Sequence, residues 1–412
     1  MFAIRATHAF DGVRFLTDGA TVIVDGDRIA GVEGARFEVP EGVEVTTCDG
    51  TILPGLFDCH THLVADSTFG GLEQAGCMDD AAVDEVIAGS LRQHAAAGVT
   101  TVRDLGDRSY RTLAFRDRPG LPRVLAAGPP ITTVGGHCHF LGGAVSGDVR
   151  DAVRERAERG VDVIKVMASG GFATPGTDTL GAQFTVEELR AIVEEAARLG
   201  LRVVAHAHSL AGIRNALTAG VSGIEHFTGL TAEGPRLDDD LLEEVASRGV
   251  VVDMTMGSVR SAHAQMPPPP PEIATLMASL GWTSIEDFYV SRFAVLARLR
   301  GHGVRLIAGV DSGMGPFKPH GSAWRTVGEF VEGGYPIEEA LAAATATAAE
   351  ACGLGAVTGR LSPGYAADLL VVDGDVATDP TVLGKPLAVL VRGTPVPQPG
   401  SVDSGVGEPA PG

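Results

Sequence analysis

Residues 55–63, "GLFDCHTHL", place His60 and His62 two apart at the end of a short apolar run. Side chains alternate along a strand, so these imidazoles share one face with Asp58, while Cys59 and Thr61 take the other. Two neutral imidazoles side by side are nitrogen donors for a divalent cation, although an HxH pair alone also fits two partly exposed structural histidines. The same spacing recurs at His206 and His208 in "LRVVAHAHS", His226 closes "SGIEHFTG" with its neighbours, and Asp311 closes "VRLIAGVDSG". Lys165 sits inside the apolar run "VDVIKVMAS". Burial disfavours its ammonium form, and a neutral lysine can add carbon dioxide to become a carbamate whose two oxygens bridge a pair of cations. The competing account of Lys165 is an ion pair at a strand end.

Groups this far apart in sequence act together only if the fold gathers them at one edge. Eight apolar runs qualify as strands: "TILPGLFDCHTHL", "VTTVRDLG", "RVLAAGPPITT", "VDVIKVMASGG", "LRVVAHAHS", "SGIEHFTG", "VVVDMTMGS" and "VRLIAGVDSG". Amphipathic stretches such as "TVEELRAIVEEAARLG" separate them. This alternation predicts an α/β fold, a (β/α)8 TIM barrel over 56–350, with chemistry at the C-terminal ends of its strands. Short strands closed by turn residues at 1–55 and again at 351–395 predict a small β-sandwich formed by both chain termini. Residues 396–412 carry too little apolar content to pack and are expected to form a disordered tail. Five consecutive prolines, Pro267–Pro271, predict a stiff extended loop after the seventh strand.

The composition narrows the partners. Among 412 residues, 44% hydrophobic, no apolar stretch approaches the roughly 20 residues that span a bilayer. A formal charge of −20 disfavours nucleic acid and anionic membrane surfaces as partners. The five cysteines lack a CxxC spacing, which fits reduced thiols and leaves metal binding to other residue types. The N-terminus lacks the pattern of a secretory signal, so a cytoplasmic location is expected.

HxH on the first strand, lysine on the fourth, histidines on the fifth and sixth and aspartate after the eighth together resemble the amidohydrolase superfamily, in its binuclear-metal branch. "GLFDCHTHL", "IKVMASGG", "AHAHS", "GIEHFTGL" and "AGVDSG" are most similar to its imidazolonepropionase-like group, which includes Xaa-Pro dipeptidase, Xaa-Lys/Arg carboxypeptidase and ochratoxinase. The resemblance spans residues 1 to about 395. It implies that His60, His62 and Asp311 hold the more buried of two divalent ions, zinc by the ligand chemistry, and that His206 and His226 hold the more exposed one. Lys165, as N6-carboxylysine, and a hydroxide would bridge them, with Asp311 as catalytic general acid/base. In "TTVGGHCHFLGG", His137 would contact the scissile carbonyl or its oxyanion.

His139, His208 and Gln183 would border the substrate, with a helix cap as the other account of Gln183. The implied reaction is hydrolysis of an amide (peptide-like) bond, in a dipeptide or an N-acyl amino acid, by a homo-oligomer. One rival is a mononuclear cyclic-amide hydrolase or deaminase of the same superfamily. Such deaminases carry a glutamate three residues after the fifth-strand histidine, where this chain has Ser209. The other is an inactive scaffold, which would be expected to have lost ligands. His8, His94, His263, His302 and His320 have no evident partner, and Lys318 and His320 sit in "MGPFKPHGS", either a solvated loop or a contact for a substrate carboxylate.

Overall fold

A computed structural model describes residues 1–266, 268–269 and 271–397, with residue 272 described in its backbone alone. Eight parallel strands follow in chain order: Leu56–Thr61, Val99–Asp104, Arg123–Ala126, Val163–Met167, Arg202–Ser209, Gly223–Thr231, Val251–Asp253 and Leu306–Ile307. The first three pair in one sheet, and the fourth to eighth pair in another. The isolated parallel bridges Ile131↔Val166 and Thr61↔Ser312 tie the fourth and first strands to the segments that follow the third and eighth. Ile131 N–H donates to Lys165 O at 2.8 Å, and Asp311 N–H donates to His60 O at 2.7 Å. The first, second and fourth strands are buried at every residue, as strands covered on both faces must be.

The helices between the strands have local causes. Val186–Arg198 begins at Thr185, whose hydroxyl accepts from Glu188 N–H while Glu188 reaches back, a capping box. Its Leu189, Ile192 and Ala196 recur at helical spacing and are buried. Leu210–Ala219 begins at Ser209, whose Oγ accepts from Gly212 N–H at 2.8 Å. Pro271 departs from the expected extended proline run: it opens the helix Pro271–Ser279, where a missing N–H removes no hydrogen bond. Residues 267 and 270 of that run lie outside the described residues, as does the expected tail from 398 onward; Val396 N–H still donates to Val389 O at 2.9 Å.

The chain ends meet in one eight-stranded mixed sheet. Its strand Glu44–Pro54 runs parallel to Phe2–Phe10 and antiparallel to Leu369–Asp373, with Ile52 opposite Val371. Ile4, Val22, Val24, Ile29, Ile52, Leu369 and Leu390 form a separate apolar cluster there. Gly55 carries this strand into the first barrel-type strand, and a Cβ at that position would meet Thr100 at 2.2 Å, so only glycine fits. Among the described residues no helix is long and apolar enough to cross a membrane.

Candidate metal centre

The first, fifth and sixth strands carry a group of enclosed histidines. His60, His62 and Asp311 have ligand atoms within 4.8 Å of one another, and so do His206, His208 and His226. The two groups touch, because the His60 and His226 rings are 5.2 Å apart. All six line one cavity of about 380 Å³ together with Lys165 and His137. His226 and Asp311 both have φ of 69°, a left-handed backbone that costs a non-glycine residue on the order of 1 kcal/mol or more.

Each imidazole has one nitrogen tied down. His60 Nδ1–H donates to Glu225 Oε2 at 2.9 Å, His62 Nδ1–H to Gly106 O at 3.0 Å, and His206 Nε2–H to Gly170 O at 3.1 Å. His226 Nδ1 pairs with Thr255 Oγ1 at 3.0 Å, and His208 Nδ1 with Thr228 Oγ1 at 2.9 Å. The carboxylate and carbonyl partners can only accept, which sets the tautomers of His60, His62 and His206, while the opposite nitrogens of His60 and His62 approach Asp311. Burial pulls His60 down to about 4 and His206, His208 and His226 well below the ordinary imidazole range, so these rings are neutral donors. Burial opposes charge on Asp311 as well, yet Lys318, His60 and His62 outweigh it and hold the carboxyl well below its usual range. Its Oδ1 lies 3.2 Å from His62 Nε2 and 3.4 Å from His60 Nε2, and its Oδ2 lies 3.5 Å from Lys318 Nζ.

Lys165 supplies the test of fit for a cation pair. It is 1% exposed, and its Nζ has no hydrogen-bond partner. Burial pulls the amine below its ordinary value, the state that carbon dioxide adds to. Among the described residues no ion pair, the alternative for this lysine, is made. Five histidine nitrogens, a carboxylate and an unpartnered amine are the donor chemistry of borderline divalent ions, and the residues present therefore fit such a pair.

Several expected substrate contacts need correction. His139 is exposed, lies outside the cavity lining and places its Nδ1–H on Gly136 O at 2.9 Å. Gln183 also lies outside the lining and is not a cap, since Thr185 has that role. Its Oε1 accepts from His137 N–H at 2.8 Å and its Nε2 donates to Met167 O at 2.8 Å, so it positions the His137 backbone. His137 itself lines the cavity beside His206, with ring centroids 4.4 Å apart, and its Nδ1 has no partner. His320 is neither solvated nor at the cavity: it is 5% exposed, with Nε2–H on Ala65 O at 2.7 Å and Nδ1 3.1 Å from His94 Nε2.

Three functional-looking residues escaped sequence reasoning. Glu225 accepts from both His60 and Arg103, whose Nη2 is 2.9 Å from Oε1; Asp253 is buried on the seventh strand with Oδ2 unpartnered. The signal that marked Lys165, a charge inside an apolar strand, was present for all three in "GIEHF", "TTVRDL" and "VVVDMT". Gly309 leaves room for Asp253 beside His60, because a Cβ there would lie 1.8 Å from Asp253 Oδ2 and 2.9 Å from His60 Cβ. Gly309→Ala is expected to cost about 1–3 kcal/mol, read as a lower melting temperature, and to displace His60. An unchanged melting curve would contradict this account of the packing.

Fold and site together define an α/β hydrolytic enzyme. Residues 51–396 match the amidohydrolase family, and the chain belongs to that family. It is similar to ochratoxinase from Aspergillus niger, 28% identical over 440 residues that cover 93% of this chain and 85% of that protein. A solved Xaa-Pro dipeptidase with methionine bound in its active site superposes with a TM-score of 0.83 at 26% identity, covering 96% of this chain and 99% of the other. A prolidase complexed with N-methylphosphonate-L-proline superposes with a TM-score of 0.81 at 25% identity, covering 97% and 100%. The chain is a hydrolase acting on carbon–nitrogen bonds.

Proposed function

We propose that this protein is a metal-dependent amidohydrolase that cleaves a peptide-like amide bond in a small molecule, using two divalent ions at the C-terminal ends of a closed (β/α)8 barrel. The barrel would occupy 56–350, flanked by a small β-sandwich formed from 1–55 and 351–395. The observation that carries the reading is the convergence of His60, His62, His206, His226 and Asp311 around the unpartnered Lys165 in one cavity.

His60, His62 and Asp311 would hold one ion and His206 and His226 the other, with Lys165 carboxylated between them. Bound there, zinc-like ions supply Lewis acidity for a carbonyl and lower the pKa of water. Asp311, kept ionised and facing the cavity, accepts a proton and returns it to the leaving nitrogen. Neutral His137 has an unused nitrogen to direct at the scissile carbonyl oxygen. His208, at the same wall, contacts substrate. The walls beyond are apolar and aromatic, with Phe69, Phe172, Trp282 and Phe317, which suits an apolar side chain on either partner of the amide. Ser209 argues against a deaminase, because its hydroxyl already caps a helix and donates to Gly181 O at 2.8 Å.

Relatives named Xaa-Pro dipeptidase and prolidase make Xaa-Pro dipeptides the first substrates to try, with N-acyl amino acids next. The expected result is two equivalents of bound metal per chain and hydrolysis that is lost on chelation and returns with zinc and bicarbonate. Hydrolysis that survives exhaustive chelation would overturn the reading.

A further inference from the structure

The sixth and seventh strands separate at His226. Their last paired residues are Glu225 and Asp253. One residue further on, His226 and then Phe227 take a left-handed backbone, with φ of 69° and 48°, and so does Thr255, just past the seventh strand, at 50°. The register also breaks on the other side, where the fifth strand advances from Ala207 to Ser209 while the sixth advances from His226 to Leu230. A bulge with strained residues persists only where its surroundings over-determine it. Here it carries the carbonyls of His226 and Met254 past the last rung between the two strands, and buried carbonyls need donors.

Arg292 supplies the missing rung. It comes from the helix Ile285–Gly301, is 4% exposed and borders the histidine cavity. Its Nη2 donates to His226 O at 2.8 Å and to Met254 O at 2.7 Å, so one nitrogen ties the two strand ends together. Among the described residues no carboxylate is hydrogen-bonded to this guanidinium, and its Nη1 has no partner. A buried cation held by carbonyls alone is a costly fastener, which marks the position as serving more than packing.

We propose that Arg292 is the positioning residue for His226: by bridging the sixth and seventh strand ends it holds the left-handed turn that presents the His226 ring to the cavity. The ring's own restraint belongs to the same device. Thr255 Oγ1 lies 3.0 Å from His226 Nδ1, and Thr255 N–H donates to Asp253 Oδ1 at 2.7 Å on the braced seventh strand. Without the brace the two strands are free to pair one rung further. That would take His226 out of the left-handed region and carry its ring away from Thr255 and from the His206 ring, 4.6 Å off between centroids. The loss of an ion that follows rests on the metal reading of the site; the placement of the ring does not.

The test observes the His226 ring by nuclear magnetic resonance in the full-length, metal-free protein, with a heavy nitrogen isotope in its histidines and the signal assigned through His226→Asn. Arg292→Met is expected to move the His226 side-chain resonances and to leave in place those of His60, whose anchor is Glu225. An unmoved His226 signal in the folded variant would overturn the proposal. So would equal movement of every histidine, which is what general loosening gives. Arg292→Lys keeps a donor without the planar fork; it is expected to give a smaller shift of the same signal, and it decides the matter if the methionine variant does not fold. Loaded with cobalt, the Arg292→Met chain is expected to keep one equivalent at the parent's affinity and to hold the second about tenfold more weakly. Unchanged affinity for both ions would overturn the link to metal. A parent chain that binds a single ion would count against the paired-ion reading, and the ring signal would still decide the role of Arg292.

Discussion

Lys165→Met is expected to remove activity and metal together while making the metal-free chain more stable. The lysine is fully enclosed between Ile164 and Val166, and its Nζ meets no acceptor. A buried polar group without a partner costs about 1–3 kcal/mol, and methionine has nearly the same length without the amine. The metal-free variant is therefore expected to melt about 2 °C or more above the metal-free parent. Amide hydrolysis is expected to fall by a factor of about 10³ or more, the scale of losing a preorganised electrostatic group. Opposite signs on stability and function mark a residue kept for chemistry. A metal-free Lys165→Met chain that melts lower, with hydrolysis retained, would return Lys165 to a structural role.

The strands and the grouping of His60 with His62 were legible in the sequence because each rests on a local rule. Strand alternation placed His60 and His62 together, and their rings are 5.4 Å apart. Apolar runs marked all eight strands because strands covered on both faces are mostly apolar, with the few charged positions standing out against that background. What the sequence hid were partnerships between distant elements. His94 and His320 had no evident partner because each is the other's, across 226 residues. Gln183 was matched to the wrong task, since the groups it serves, His137 N–H and Met167 O, come from other segments. Pro271 was misread because a helix's first position tolerates proline as well as an extended loop does.

Glu225→Gln is expected to be the most damaging isosteric change in the chain. Arg103 Nη2 and His60 Nδ1 donate to separate oxygens of this carboxylate, each at 2.9 Å, with all three side chains buried. Burial alone would push the carboxyl up, but the Arg103 guanidinium and the His60 hydrogen bond outweigh it and bring it down to about 2. Glutamine keeps one acceptor and turns the other oxygen into a donor, so either Arg103 or His60 then faces an N–H. Leaving the buried guanidinium without its anion is expected to cost about 3–5 kcal/mol, visible in denaturant unfolding. Loss of the His60 acceptor frees the ring's tautomer and is expected to weaken metal affinity about 10–100-fold. The two losses separate in a double variant. Arg103→Met with Glu225→Met removes both buried charges, so most of the stability should return, whereas metal affinity should stay low because His60 Nδ1–H still lacks its acceptor. Recovery of metal affinity along with stability would show that Glu225 serves only to neutralise Arg103.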